Sequence, residues 1–286
     1  MGRRLVPAML QQGDDIALVE DALNHFYRTR PVEYRVELVN EEDNETYAQF
    51  ISRFAVPGSS LLDFGTGSWR LPLSLSAHGF QVTGVDIFSE VDLARFSTNL
   101  EGSSAKLVSY DGERLPFPDN SFDIVSSRNV FEHIIKVSNI LSELDRVLKP
   151  GGLFVLHGPN WSGPNISIRA IQSLLRSGQR YWQYERIFDA LLGLFRTLSW
   201  YIRVKFAADP HFLLIYPRMK DGRIFFVKSD DDAVHLNQPY SFYSWFVKRG
   251  YSVIRYNRHE GSCYLTRIFN TAFPSFATSN RMVFRK

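Results

Sequence analysis

The sequence predicts an α/β fold in which a mostly parallel sheet is covered by helices on both faces. Three observations carry this expectation. Strand-like and helix-like segments alternate from residue 60 to residue 157, the spacing of repeated βαβ units. Residues 139–148 show an amphipathic helical pattern, with Ile140, Leu141, Leu144, Val147 and Leu148 on one side. Helix and strand texture then returns at 240–254, after a long stretch that lacks it.

The elements follow in order. Residues 14–56 read as helical and polar, with Tyr47, Phe50, Ile51 and Phe54 at helical spacing, and Pro57-Gly58 punctuates. Ser60–Phe64 is a short apolar strand, Arg70–Ala77 a helix ended by His78-Gly79, and 80–85 a strand closed by Asp86. Residues 89–100 are helical, and 106–110 and 122–126 are strands. The helix at 139–148 stops at Pro150-Gly151-Gly152, and the fifth strand follows at 153–157. Residues 160–235 are rich in aromatics and arginine and read as an insertion between that strand and the last helix, 240–249, which leads into a strand at 250–254. The expected division is an N-terminal helical segment (1–56), the sheet domain (57–160), an insertion (161–235) and a C-terminal part that completes the sheet (236–286).

Composition narrows the partners. The chain's 286 residues hold one large domain, or one of about 150 residues with an elaboration. A net charge of +3 gives no case for nucleic acid, so none is expected. The single cysteine, Cys263, excludes an internal disulfide and a thiolate zinc site, and it suits a reducing compartment. No run of 18 apolar residues occurs, so no membrane span is expected. The apolar run in the first ten residues is too short for a signal-peptide core. A cytoplasmic location is the expectation.

Four motifs bear on chemistry. In Leu61-Leu62-Asp63-Phe64-Gly65-Thr66-Gly67-Ser68, glycines directly after a strand let the backbone turn tightly and approach a ligand. Alone this also describes a purely structural turn. Asp86 ends the next strand, where a carboxylate can accept from two ribose hydroxyls or, alternatively, cap the following helix. In Tyr110-Asp111-Gly112-Glu113-Arg114-Leu115-Pro116-Phe117-Pro118, Asp111 sits where a strand meets a loop and could accept from an amino group on a base. Leu144-Asp145-Arg146-Val147-Leu148-Lys149-Pro150-Gly151-Gly152-Leu153-Phe154-Val155 is a helix stop, a turn and a buried strand. It marks the fold and carries no chemistry.

In this order and spacing the four motifs resemble the class I methyltransferases, in particular the group that methylates small molecules, quinones and glycans. The resemblance covers about residues 45–160, with a fainter return at 233–255. It implies a Rossmann-like, seven-stranded, mostly parallel sheet whose last strands form an antiparallel hairpin, with S-adenosylmethionine across the C-terminal strand edges. It implies that Asp63, Gly65 and Gly67 line the methionine part of the cofactor and that Asp86 holds the ribose. Ile87 would pack on the adenine, Asp111 and Gly112 would read its edge, and Asn129 would lie beside the sulfonium through its backbone. One position departs from the family pattern. A third glycine is usual two residues after Gly67, and Trp69 stands there; its indole must point away from the cofactor or fill part of the methionine pocket.

Methyl transfer is a displacement in which the cofactor supplies the electrophile, so positioning and dehydration are the protein's main tasks. In Asn129-Val130-Phe131-Glu132-His133-Ile134, His133 follows the strand whose end faces the methyl group, as a general base or as a pin for its loop. His157 is a second histidine at the same edge. The remaining histidines show no metal-ligand spacing, and no metal is expected.

Residues 161–205 contain seven Arg or Lys against two acids, Glu185 and Asp189. Ile187, Phe188, Leu191, Leu192, Phe195, Leu198 and Ile202 recur there at helical spacing. An apolar stripe ordinarily faces a core, so a lid packed on the sheet domain is expected, with peripheral contact to a membrane surface as the other reading. Acceptor selection is expected in this insertion, and its arginines and aromatics suit a small-molecule, glycan or lipid-linked acceptor. Two other functions compete: a methyltransferase-like module that binds without catalysing, motivated by Trp69, and a nicotinamide-dependent oxidoreductase. The second is disfavoured because Arg70 occupies the place of the last glycine in Gly-x-Gly-x-x-Gly.

Overall fold

Burial of alternate residues on opposite faces explains the sheet at the centre of this protein. A computed structural model describes residues 7–10, 14–29, 44–227, 230–257, 273–277 and 279–286. The expectations at residues 30–43, and Cys263, lie outside the described residues. Helices α1 (Asp14–Thr29) and α2 (Asn44–Ser52) precede β1 (Ser60–Phe64), α3 (Arg70–Ala77), β2 (Gln81–Asp86), α4 (Glu90–Ser97) and β3 (Lys106–Ser109). Then come β4 (Phe122–Arg128), α5 (Val137–Val147) and β5 (Leu148–Pro159). Helices α6 (Pro164–Ser177) and α7 (Ile187–Lys205) and the small hairpin β6 (Met219–Lys220) and β7 (Arg223–Ile224) follow. The chain closes with α8 (Pro239–Lys248), β8 (Ser252–Tyr256) and β9 (Ser279–Arg285).

Seven strands make one sheet in the order β3-β2-β1-β4-β5-β9-β8. The neighbours from β3 through β5 pair in parallel, while β9 runs antiparallel to both β5 and β8. Successive side chains on a strand point to opposite faces. Leu62, Val125, Phe154 and Phe284 therefore join α5 and α8 in one core, through Ile140, Leu141, Leu144, Phe242 and Phe246. Their neighbours Leu61, Ile124, Val155 and Val283 join α2 and α3 in a second core, through Tyr47, Phe50, Ile51, Leu71 and Leu75. The α/β fold with helices on both faces follows from this two-sided burial.

Residues 161–235 build a separate apolar cluster that includes Trp161, Trp182, Tyr184, Trp200 and Leu213. Here the structure corrects the expectation that the apolar stripe of α7 faces inward. Asp189, Ala190, Gly193, Thr197, Trp200 and Val204 are its buried side, whereas Phe195 is 80% exposed and Leu198 57%. The cause is close approach. A Cβ at Gly193 would lie 2.3 Å from Tyr184 Oη and 2.4 Å from Ser167 Oγ, so only glycine fits at this point of the buried side.

Candidate functional site

The connections of β1 and β4 leave in opposite directions, β1 toward α3 and β2, β4 toward α5 and β5. A crevice opens at such a switch point, outside the C-terminal strand ends. A cavity of about 790 Å³ lies there, within the usual range of about 300–1,000 Å³ for small-molecule sites. Asp63, Gly65, Gly67, Asp86, Ile87, Asp111, Gly112, Asn129 and His133 all line it. The structure thus brings these nine residues to one cavity wall.

The glycine turn is tied to the end of β2. Gly65 and Gly67 have φ of 72° and 65°, and a Cβ at Gly65 would come within 2.3 Å of Val130 Cγ2. Gly65 is therefore required both by its backbone and by its neighbour. Gly67 N–H donates to Asp86 Oδ2 at 2.6 Å, and Ile87 N–H donates to Asp86 Oδ1 at 2.7 Å. A carboxylate has about four acceptor positions, and these two bonds take one on each oxygen. Asp86 does not cap α4, because Ser89 does, accepting from Asp92 N–H at 3.1 Å.

Asp63 is buried, and its Oδ2 makes no hydrogen bond. Burial pushes its pKa up to about 7, opposed by Thr66, by the Arg128 guanidinium and by Ser126. Arg128 ends β4 and also lines the cavity. Its Nη2 donates to Asn44 Oδ1 at 2.7 Å, and its guanidinium lies 5.4 Å from the centre of the Tyr47 ring. Its Nη1 is buried without a partner. Unpartnered buried polar atoms are uncommon. Here one acceptor and one donor of opposite charge belong to residues of the same cavity wall, a pattern that matches the ammonium and carboxylate of an amino acid moiety. Sequence reading missed Arg128, although a charged residue at the C-terminal end of a buried parallel strand was a usable signal.

Beyond Asp86, Ile87 lies under Gly112, whose φ is 92° and whose Cβ would meet Ile87 Cδ1 at 3.2 Å. Asp111 Oδ1 accepts from Glu113 N–H and Arg114 N–H, both at 2.8 Å, and these bonds hold its carboxyl below the usual range. Asn129 adopts φ 56°, a left-handed conformation asparagine tolerates. Its N–H donates to His157 O at 2.9 Å, so its carbonyl is the backbone group it can offer a ligand.

His133 sits among carboxylates. Its Nδ1 is 3.2 Å from Asp232 Oδ2, an ion pair without the alignment of a hydrogen bond. Its Nε2 is 3.9 Å from Glu132 Oε1 and 4.0 Å from Asp230 Oδ1. Tyr27 Oη donates to Asp232 Oδ2 at 2.6 Å. Burial alone would lower the His133 pKa, but Asp232, Glu132 and Asp230 outweigh it and raise it to about 10. Glu132 is pushed up to about 7 by burial, against the pull of His133. Glu132, His133 and Asp230 offer atoms within 4.8 Å of one another, a spacing open to a metal ion, where sequence spacing gave no reason to expect one. Asp230 and Asp232 come from the far end of the insertion, and local sequence could not connect them to His133.

Three further expectations meet the structure here. Trp69 is half-buried, starts α3 and is not among the lining residues, with the Arg70 guanidinium 5.1 Å from its ring centre. Its indole therefore does not occupy the cavity. His157 lies outside the lining as well, and burial, with Arg281 and Arg128 nearby, lowers its pKa to about 3. No residue of the insertion lines this cavity, whose wall on that side comes from Glu20, Leu23, Asn24, Tyr27 and Arg28 of α1. Helix α1 takes this position because Val19 and Leu23 bury against Val234, with Ile224 packed beside them, which leaves the insertion behind it.

A sheet in this order, with a glycine turn after β1 and an acid ending β2 on one cavity, has the architecture of class I S-adenosylmethionine-dependent methyltransferases. Comparison with known proteins agrees. Residues 62–156 match the family described as a methyltransferase domain. The chain is 42% identical over 108 residues to a demethylmenaquinone methyltransferase of Staphylococcus haemolyticus, covering 34% of this chain and 42% of that protein. It is 38% identical over 102 residues to a sterol 24-C-methyltransferase of Gibberella zeae, covering 34% and 27%. The chain thus spans less than half the length of these curated relatives. An S-adenosylmethionine-dependent methyltransferase structure from Mesorhizobium loti shares the fold at a TM-score of 0.50 and 14% identity, covering 85% of this chain and 98% of that one. S-adenosylmethionine is the cofactor of this domain class. The unpartnered Asp63 and Arg128 atoms and the Asp86 carboxylate are a donor set that fits it.

Proposed function

We propose that this chain transfers a methyl group from S-adenosylmethionine to a small-molecule acceptor in the cavity beside β1 and β4. The observation that carries the reading is the pair of unpartnered, oppositely charged groups, Asp63 and Arg128, on a cavity that also holds the Gly65–Gly67 turn and Asp86. Asp63 takes the cofactor's ammonium and Arg128 its carboxylate. Asp86 holds the ribose, Ile87 and Gly112 bound the adenine slot with Asp111 at its edge, and the Asn129 backbone faces the sulfonium. The bound cofactor supplies an electrophilic methyl group. The chain's own residues exclude water and align the acceptor opposite the leaving sulfur, and alignment alone supplies about 7–11 kcal/mol of such a barrier.

The acceptor enters between α1 and residues 133–136. Leu23, Ile134 and Ile135 give this wall apolar surface, and Arg28 and the Lys136–Glu20 ion pair, at 3.0 Å, give it charge. That mixture suits an amphipathic acceptor such as a glycan or a lipid-linked intermediate. Asp232, Glu132 and Asp230 favour the protonated form of His133, which suits it to act on the acceptor as a hydrogen-bond donor. No helix of the described residues is long and apolar enough to cross a membrane. Cys263 suits a reducing compartment, and we place the chain in the cytoplasm.

Calorimetric titration with S-adenosylmethionine, S-adenosylhomocysteine and NADH tests the cofactor. Binding of the first two without the third is expected, and binding of NADH alone overturns the reading.

A further inference from the structure

Helix α7 shows solvent the face that an amphipathic helix ordinarily hides. Phe188 is 62% exposed, Leu191 43%, Phe195 80%, Leu198 57%, Ile202 46% and Phe206 77%. Their steps of three and four residues place them in one stripe. The adjoining α6 adds Leu175, 68% exposed, and Ile168, 42%. The opposite side of α7 is already closed against the cluster of Trp161, Trp182, Tyr184 and Trp200, so the stripe is not a core residue set awaiting a small repacking. Contiguous exposed apolar surface of this extent marks a site of contact.

The charges around the stripe identify its partner. Helices α6 and α7 carry Arg169, Arg176, Arg196, Arg203 and Lys205. Their sole acid, Asp189, is buried and paired with Arg186 at 2.8 Å. The Lys205 ammonium lies 5.9 Å from the Phe206 ring centre, an apolar stem and ring with a cationic tip. The face therefore presents apolar side chains among cations and no exposed acid of either helix. A second copy docking on it by two-fold symmetry would oppose like charges. Anionic lipid satisfies both halves of the pattern, since a surface helix sinks its apolar side to the acyl boundary and leaves its basic residues among the headgroups.

We propose that the outer face of α7, extended by α6, docks the protein flat on an anionic bilayer surface. The docking goes beyond methyl transfer and rests on none of the cofactor assignments. None of its residues lines the cofactor cavity, so its failure and the failure of the enzymatic reading are separable.

The test is flotation of the full chain with vesicles of neutral phosphatidylcholine, alone or with about a third phosphatidylserine. The wild-type chain should bind the anionic vesicles at least tenfold more strongly than the neutral ones, and less as salt is raised. A double variant, Phe195→Ser with Phe206→Ser, should lose at least tenfold of that binding. Arg203→Glu with Lys205→Glu should lose the preference for anionic lipid. All four side chains are exposed, and unchanged S-adenosylhomocysteine affinity and melting temperature confirm the fold of each variant. A wild-type chain that stays out of the vesicle fraction overturns the proposal. So does vesicle binding that the phenylalanine variant leaves intact. A concentration-dependent dimer that the same phenylalanine substitutions dissolve assigns the face to a second copy and likewise overturns it.

Discussion

Asp86 Oδ2 accepts the N–H of Gly67 at 2.6 Å, so the carboxylate that ends β2 fixes the glycine turn that follows β1. One side chain thereby serves the fold of the turn and the ligand proposed to lie on it. Asp86→Ala removes both contributions, and weakening of S-adenosylhomocysteine by about 1.5–3 kcal/mol is expected, the range for hydrogen bonds to a charged group. Asp86→Asn keeps an acceptor for Gly67 and should lose less. Calorimetry on both variants checks this, and unchanged affinity in Asp86→Ala removes Asp86 from the site.

Trp69 begins α3 without lining the cavity. Trp69→Gly should leave S-adenosylhomocysteine affinity within about twofold, and glycine is accepted at a helix start at a cost of a few tenths of a kcal/mol beyond the lost packing. Thermal melts alongside calorimetry measure the two effects separately. A large loss of affinity with the fold intact would show that the indole shapes the methionine end of the cavity.

How far the sequence could be read depended on whether the cause was local. Strand positions, the glycine turn and the acid closing β2 are local patterns, and each expected cofactor residue lies on the cavity wall. Residue-to-residue distances across the chain left no such mark. Asp230 and Asp232 meet His133 because Val234 N–H and His235 N–H donate to Glu132 O at 2.7 and 3.0 Å, while Val234 packs with Leu23 of α1. Helix α7 was legible as amphipathic but not in its sense. The close contact of Gly193 with Tyr184 and Ser167 turns that side of the helix inward, and a hydrophobic period carries no information about which neighbour demands closeness.

Asp63 makes cofactor binding depend on pH. Burial holds its pKa near 7, so at slightly acid pH the empty site carries a proton that a bound ammonium would expel. S-adenosylhomocysteine should therefore bind with release of a proton below pH 7, and affinity should fall as pH drops through that value, by up to about tenfold per unit. For folding alone the sign is opposite. A carboxyl raised from 3.8 to about 7 on folding destabilises the protein progressively as pH rises across that window. Calorimetry in buffers of different ionisation enthalpy reads the proton count directly, and Asp63→Asn should abolish it. Absence of proton release in the wild type at pH 6 excludes Asp63 as the ammonium partner.

His133 supplies the cation for a buried carboxylate group, and its removal tests that balance. Its side chain is 15% exposed, and those of Asp232 and Glu132 are each 1% exposed. His133→Gln leaves buried acids without their partner, and a loss of about 3–5 kcal/mol is expected, the scale for breaking a buried pair from one side. The folded pKa is raised from 6.5 to about 10, so this contribution is full below about pH 6.5 and is lost as pH rises through about 10. Urea unfolding of wild type and variant should therefore converge toward alkaline pH. Adding Asp232→Asn to His133→Gln removes one stranded charge and should restore part of the stability at neutral pH. The same proton decides the catalytic role. If His133 donates to the acceptor, methyl transfer declines as pH passes about 10; if the rate instead climbs toward that pH, the neutral imidazole is the active form and His133 is the base.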